Sequence, residues 1–436
     1  MTHHYWPKAS RYNRVIPIQA SLDAWVRRLC LAVVATALAQ ASSPCLATVT
    51  VATSATARYE YDSNVFDLQN GFPVPGTSSF QKSDTLYTYG AAVDVNYLWD
   101  RQKLFVTLSD NEFHYDRFTE LNHNEYILDG GLNWNLGRLL SGTVEVLRNR
   151  TMIAFTNVED SQFGVQTEQH ESGKIDFAFL PDWRIEGRGN YRTVDQVFLD
   201  LPSVDLTETS GFGELDYVGR AGLTAGLSGG YIDGNYTGPT AALNPSYRQT
   251  TLALTGIFVP TGRSTINGAL GYSDRKSTSE INTISGFTGE IDYKNQLTGK
   301  TSVQAQLSRA IVSYVANSSS EIDTTAVVSA HWQATYKLGV VAGYSWTNRN
   351  LPGQGDAPIG SNRDDHAQYA TINLDYEVLR WLSIKPYINY QTRKSDYVGA
   401  NFNASIVGVS FTGVWEDRRQ PDFKIRYLNQ APTVLP

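Results

Sequence analysis

The strongest constraint on this chain is an alternation of apolar and polar residues with period two, recurring from about residue 48 to residue 415. Period two places successive side chains on opposite faces of a strand, so each segment carries one apolar and one polar face. Tyr87, Tyr89, Ala91, Val93, Val95, Tyr97 and Trp99 share one parity, with Thr88, Asp94 and Asn96 on the other. Ile175, Phe177 and Phe179 oppose Lys174 and Asp176. Ala326, Val328, Ala330, Trp332, Ala334, Tyr336 and Leu338 oppose Ser329, His331, Gln333 and Lys337. Ile372, Leu374, Tyr376 and Val378 oppose Asn373, Asp375 and Glu377, and Val407, Val409, Phe411 and Trp415 oppose Gly408, Ser410 and Thr412. A soluble sandwich shows the same pattern, so the breaks between segments have to decide.

Tight turns are expected near Asp100-Arg101, Gly137-Arg138, Pro181-Asp182, Gly219-Arg220, Pro260-Thr261-Gly262, Thr298-Gly299-Lys300, Leu338-Gly339 and Arg380. Longer polar connections, such as 62–82, 194–206, 234–246 and 350–365, fall between them. Short turns on one rim and long loops on the other are the mark of a membrane-spanning barrel, and a Greek-key sandwich has no reason to keep that order. Tryptophan gives an independent check. Five of the seven tryptophans after residue 47 border the short turns: Trp99, Trp134, Trp183, Trp381 and Trp415. Amphipathic rings favour a membrane–water boundary, which reads as an aromatic girdle on the turn side. The expected fold is therefore an all-β, transmembrane, antiparallel up-and-down barrel of about 18 strands, each of roughly 9–15 residues, with 16 to 20 strands open.

Mean hydropathy is −0.30 although Tyr (25) and Gly (35) abound, a combination that suits an apolar exterior around a wet lumen. Arg27-Arg28 precede an eleven-residue apolar run, Leu29 to Ala39, followed by small residues. A basic stop, a short apolar run and an Ala-x-Ala-like site make a secretory signal, read here as residues 1–47 with cleavage after Ala47. Ala39-Gln40-Ala41 is an alternative site. Both cysteines, Cys30 and Cys45, fall within 1–47, so the remaining chain holds no thiol. Removing 1–47 takes away five basic residues and one acidic one, leaving 31 Lys+Arg against 42 Asp+Glu, a net of −11. That charge gives no footing for nucleic acid. Residues 48–415 form the barrel, and 416–436 are a tail or a short closing strand.

No catalytic, cofactor-binding or metal-ligating constellation stands out. Gly226-Leu227-Ser228-Gly229-Gly230 matches a nucleophile elbow in letters, but Tyr231 and Ile232 continue a Gly-rich strand where that motif needs a helix. His114, His123, His170, His331 and His366 show no metal-ligand spacing, so the chain reads as a non-enzyme without cofactors. The informative charges share the inward parity. Arg184, Glu186, Arg188, Asn190 and Arg192 lie on one segment opposite Trp183, Ile185 and Tyr191, with Lys174 and Asp176 on its partner; Lys385 and Arg393 take the same side later. A charge at the midplane of the lipid face costs about 2–4 kcal/mol, so these side chains belong in the lumen. Most read as a solvated wall of paired charges. The sharper expectation makes Arg184, Arg188, Arg192, Lys174, Lys385 and Arg393 lumen contacts for an acidic or hydroxyl-rich substrate, since a planar guanidinium binds carboxylate bidentately.

Ala57-Arg58-Tyr59-Glu60-Tyr61-Asp62-Ser63-Asn64-Val65-Phe66 carries a Tyr-Asp-Ser-Asn-Val-Phe signature. It resembles the opening strand and loop of an outer-membrane β-barrel porin group, and within it the EpsL-type exopolysaccharide-biosynthesis proteins that accompany exosortase gene clusters. The resemblance implies a cell-outer-membrane conduit in export or assembly of an extracellular polysaccharide. Its partners would be outer-membrane lipid, the polymer, and periplasmic or inner-membrane synthesis machinery. A general or solute-specific porin is the alternative, using the same wall with loops folded inward to narrow the pore. An outer-membrane enzyme or a surface adhesin is the third reading.

Overall fold

The computed structural model describes residues 47–155, 163–198, 203–220, 222–238, 246–278, 283–314, 319–352 and 362–416. Except for Ala47 and Glu416, the segments read as signal peptide and tail lie outside them. The strands are β1 (Ala47–Asp62), β2 (Asp84–Trp99), β3 (Gln102–Tyr115), β4 (His123–Leu136), β5 (Leu140–Met152) and β6 (Gly164–Leu180). They continue as β7 (Trp183–Phe198), β8 (Val204–Val218), β9 (Leu223–Thr237), β10 (Ser246–Thr261), β11 (Ser264–Ser277) and β12 (Ile284–Gln296). The last six are β13 (Thr301–Tyr314), β14 (Ser319–Gln333), β15 (Leu338–Leu351), β16 (Arg363–Leu379), β17 (Leu382–Ser395) and β18 (Phe402–Glu416). Each pairs antiparallel with its sequence neighbours, and β18 pairs with β1, so the sheet closes as an 18-stranded barrel. Closure gives every strand a paired neighbour on both sides, so that no strand stands as a free edge in lipid.

Short turns join even to odd strands at one rim. Asp100, at φ +52°, and Gly137, at φ +68°, supply left-handed residues in two of them. One expected turn is displaced: β14 ends at Gln333, so the reversal is 334–337 and Leu338-Gly339 already belong to β15. The long connections are also shorter than expected, since β7 runs to Phe198, β8 starts at Val204 and β9 runs to Thr237. Polar residues there mark where the wall leaves the bilayer, while the backbone ladder continues beyond it.

The apolar parity faces outward. Leu252, Leu254, Leu270 and Phe287 are 61–71% exposed on adjoining strands, a surface that would be untenable in water. Trp99, Trp134, Trp183, Trp381 and Trp415 sit at the turn rim, joined by Trp332, one residue from the end of β14. The Trp381 and Trp415 rings stack at 5.8 Å. A second belt, with Tyr59, Tyr87, Tyr231, Tyr272 and Tyr390 exposed outward, lies toward the loop rim. Twelve residues of β2 separate Tyr87 from Trp99, which at ~3.3 Å rise and ~45° tilt is about 28 Å, close to a hydrocarbon core.

The main buried cluster is not in the wall but at the loop end. Residues 63–83 between β1 and β2 turn inward, burying Val65, Phe66 and Val74 against Leu86, Tyr115, Phe118, Leu121 and Phe155. The Asp-Ser-Asn-Val-Phe signature builds this turn. The Asn64 backbone N–H donates to Asp62 Oδ1 (2.8 Å), and its side-chain amide donates to the carbonyls of Leu68 (2.9 Å) and Asn403 (3.1 Å). Phe66 then meets the Phe118 ring edge-on at 4.8 Å. Phe66→Ala should cost about 3 kcal/mol of loop docking. Limited proteolysis of the folded barrel would show it as new cleavage within 63–83, and an unchanged digest would mean that the cluster does not hold the loop.

Candidate functional site

The lumen is where functional side chains converge, because parity sends every polar face inward. On β6, β7 and β8 the expected cations are all present and all engaged. Lys174 Nζ meets Glu186 at 2.6 Å and Asp176 at 3.5 Å. Arg184 donates from Nε (3.0 Å) and Nη2 (2.6 Å) to one oxygen of Asp216. Arg188 bridges Glu186 (2.6 Å) and Glu214 (3.3 Å), and Arg192 bridges Glu168 (2.5 Å) and Glu208 (2.7 Å). Lys385 pairs with Asp375 at 3.4 Å, whereas Arg393 donates to the Ala400 carbonyl at 2.7 Å and lies over the Phe402 ring. The structure thus links Lys174 and Arg188 through Glu186, sets Arg184 and Arg192 on the same strand β7 with acids of their own, and leaves Lys385 and Arg393 apart on β17. Arg188 alone of the three arginines keeps about half its side chain (48%) open. Beside it, a lumenal recess of about 420 Å³ lies between Arg184, Arg188, Glu214, Asp216, Thr255 and Glu290.

Glycines on β9 shape the same wall. A Cβ on Gly230 would fall 2.2 Å from the Phe212 ring, and one on Gly234 2.2 Å from the Tyr247 ring. Both aromatics lie flat across the strand because nothing projects beneath them. The elbow-like Gly226-Leu227-Ser228-Gly229-Gly230 run lies wholly inside β9 and serves this packing.

Toward the loop rim, sequence reading missed a second assembly centred on Arg275 of β11. This side chain is 2% exposed. It lies 4.2 Å over the Tyr247 ring and donates to Gln249 Oε1 (2.8 Å), the carbonyls of Ile311 (3.2 Å) and Val312 (3.1 Å), and the hydroxyls of Ser313 and Ser320. Tyr247 hydroxyl donates to Glu208, which Arg192 also holds. Ser313 belongs to β13 and Glu208 to β8, five strands apart on the wall. The end of β13, at Ile311–Ser313, therefore leans into the lumen and is clipped there. Beside it, on β14 to β16, Arg349 approaches Glu321 (3.4 Å) and Asp323 (3.6 Å), and Arg363 pairs with Asp365 at 2.7 Å.

Two inward elements thus narrow the loop-end mouth: 63–83 and the end of β13. The first is tied to the wall through Asp67, at φ +51°, which accepts from Gln391 Nε2 at 2.9 Å. Burial pushes the Asp67 carboxyl from 3.8 up to about 8; Asp62 of β1 raises it further and Arg393 of β17 opposes. Lys82 turns its ammonium to the carbonyls of Leu68 and Gln69 in the same loop. A carboxyl raised in the docked state favours docking in acid, and that contribution is lost as pH rises through about 8. Loop opening, read as single-channel conductance, should therefore grow from about pH 5 to about pH 8 and level off. Asp67→Asn should flatten the profile; an unchanged slope would assign the titration elsewhere.

Residues 258–413 match the family described as "Putative beta-barrel porin 2", roughly a third of the chain. No curated protein matches. Among solved structures, the siderophore receptor PirA from Pseudomonas aeruginosa is similar at 11% identity and TM-score 0.44, over 84% of this chain and 80% of that one. The outer membrane protein OpdK from the same organism is similar at 11% identity and TM-score 0.45, over 84% of this chain and 99% of that one. The closed barrel, its apolar belt and its two aromatic girdles place the chain in the outer membrane, as a porin-like β-barrel.

Proposed function

We propose that this protein is a passive, solute-selective channel for small hydrophilic molecules. The observation that carries the reading is the inward fold of 63–83 across the mouth, held by the Phe66 cluster and by Asp67. An 18-stranded wall otherwise leaves a wide aqueous bore. The charged wall supports it too. Paired acids and bases replace a solute's hydration without a strong net field, and half-open Arg188 offers a fork to a carboxylate or a hydroxyl-rich ligand. Lys174, which shares Glu186 with Arg188, helps to hold that fork in position.

Export of an extracellular polysaccharide is the second reading, supported by the Tyr61-Asp62-Ser63-Asn64-Val65-Phe66 signature. In this fold the signature anchors the narrowing loop, which favours small solutes over a sliding polymer. Periplasmic or inner-membrane synthesis machinery would be partners under that reading alone. Planar-bilayer conductance, titrated with neutral and anionic sugars of increasing length, separates the two. Block by short anionic sugars that weakens several-fold in Arg188→Ala supports the small-solute channel. Steady block only by long oligosaccharides supports the polymer conduit, and current indifferent to all sugars removes both.

A further inference from the structure

The wall is not zipped all the way round. The β11–β12 ladder runs to the pair Arg275 and Ile284, and the β13–β14 ladder runs to Tyr314 and Ser319. Between them, the β12–β13 ladder stops at Gly289 and Arg309. Continued register would set Thr288 against Ala310 and Gly286 against Val312, yet these pairs do not form. Residues 284–288 and 310–314 are each bonded to one neighbour only, among the described residues. The physical cause is the Arg275 clip, which takes the carbonyls of Ile311 and Val312 for its own donors and draws the end of β13 away from β12.

An open sheet edge is costly in hydrocarbon, where unpaired N–H and C=O groups find no partner. The seam lies where that cost changes. Nine residues of β12 separate Phe287 from Gln296, about 21 Å of height at ~3.3 Å rise and ~45° tilt. Phe287 points outward, is 71% exposed and meets Tyr272 edge-on at 5.7 Å, in the loop-side aromatic belt. Gly286 takes the inward parity, and a Cβ there would meet nothing within 4 Å. The seam therefore has bilayer on one side, wet lumen on the other, and no side chain across Gly286.

We propose that this seam is a lateral port which receives the polar head of an outer-leaflet lipid. The unpaired N–H groups along 284–288 and 310–313 offer donors to a phosphate or carbonyl oxygen, and the edge carbonyls that Arg275 does not hold accept from a hydroxyl or amide, while Phe287 and Leu270 flank the acyl chain outside. Such an amphiphile matches both environments at once, which neither a free solute nor a wholly apolar molecule does. The port is separate from the axial path and does not rest on the channel reading.

The test uses the full barrel in nanodiscs carrying a phospholipid with a photoreactive head group, with a mid-chain photoreactive lipid as the second arm. Cross-links are located by mass spectrometry. The head-group probe should label 284–288 and 310–313 several-fold above the zipped edge of β2 and β3 at the same height, and the chain probe should label Leu270 and Phe287. Closing the seam with an oxidised Gly286→Cys/Val312→Cys pair, in a mature chain read as cysteine-free, should abolish the head-group excess. Arg275→Ala, which frees the end of β13 to rejoin β12, should reduce it as well. Labelling spread evenly around the rim, or undiminished after closure, overturns the port. So does an edge that a strand-forming peptide protects while lipid leaves it unlabelled.

Discussion

Replacing residues 66–81 with a short Gly–Ser linker is expected to raise single-channel conductance several-fold and to abolish discrimination between short sugars. The excised segment carries Phe66 and Val74 of the buried cluster and Asp67, the tie to Gln391. What remains is the β1–β2 ladder, paired without interruption from Ala47 with Trp99 to Asp62 with Asp84. The wall is therefore untouched, and an 18-stranded bore is wide enough to conduct freely once the mouth is cleared. Heat-modifiable migration in denaturing gels would verify that the barrel still folds. A folded variant with wild-type conductance would show that 63–83 does not set the aperture, and the small-solute reading would lose its main support.

Arg275→Ala is expected to be the most destabilising single change in the lumen, at about 3–5 kcal/mol, the usual cost of removing one partner from a buried charged network. Its guanidinium answers Gln249, two carbonyls and two hydroxyls, and covers the Tyr247 ring beside Glu208. Removal leaves those acceptors dry and weakens compensation of the Glu208 carboxylate. Arg275→Lys should recover little, because a point charge cannot reach both carbonyls and Gln249 in one geometry. Urea denaturation in a defined lipid, with proteolysis near 310–314, reads both consequences. A midpoint within error of the wild type would mean that the end of β13 is held by packing instead of by this clip.

Arg188 was readable because its strand alternates cleanly, with Ile185 and Tyr191 on the lipid face fixing which side is lumen. Arg275 lies where both faces are polar, beyond the bilayer, and parity there has no apolar partner to read against. The same loss of contrast made the connections after β7 and β9 look longer than they are, and Trp332 was separated from the girdle by a turn placed a few residues late.

The salt-bridge partners were a further blind spot. Periodicity put Arg184, Glu186, Glu214 and Asp216 on the same side, but which acid each arginine takes depends on cross-strand register, seen in the facing of Arg184 with Asp216. The Asn64 signature illustrates the reverse case. Its residues were conspicuous as a motif, yet only their tertiary contacts with Leu68 and Asn403 reveal an anchor for the inward loop.

By itself, then, the sequence determined the strand class, the closed antiparallel barrel, the two rims, the girdle and the lumenal identity of the charged face. All of these follow from a two-residue period and from the cost of placing charge in lipid, both of which act locally along the chain. Only the tertiary structure decided what fills the lumen: the docking of 63–83, the Arg275 clip and the unzipped seam between β12 and β13. Each joins residues from strands far apart around the barrel, where side-chain reach and competition for backbone hydrogen bonds, and not any local periodicity, select the outcome.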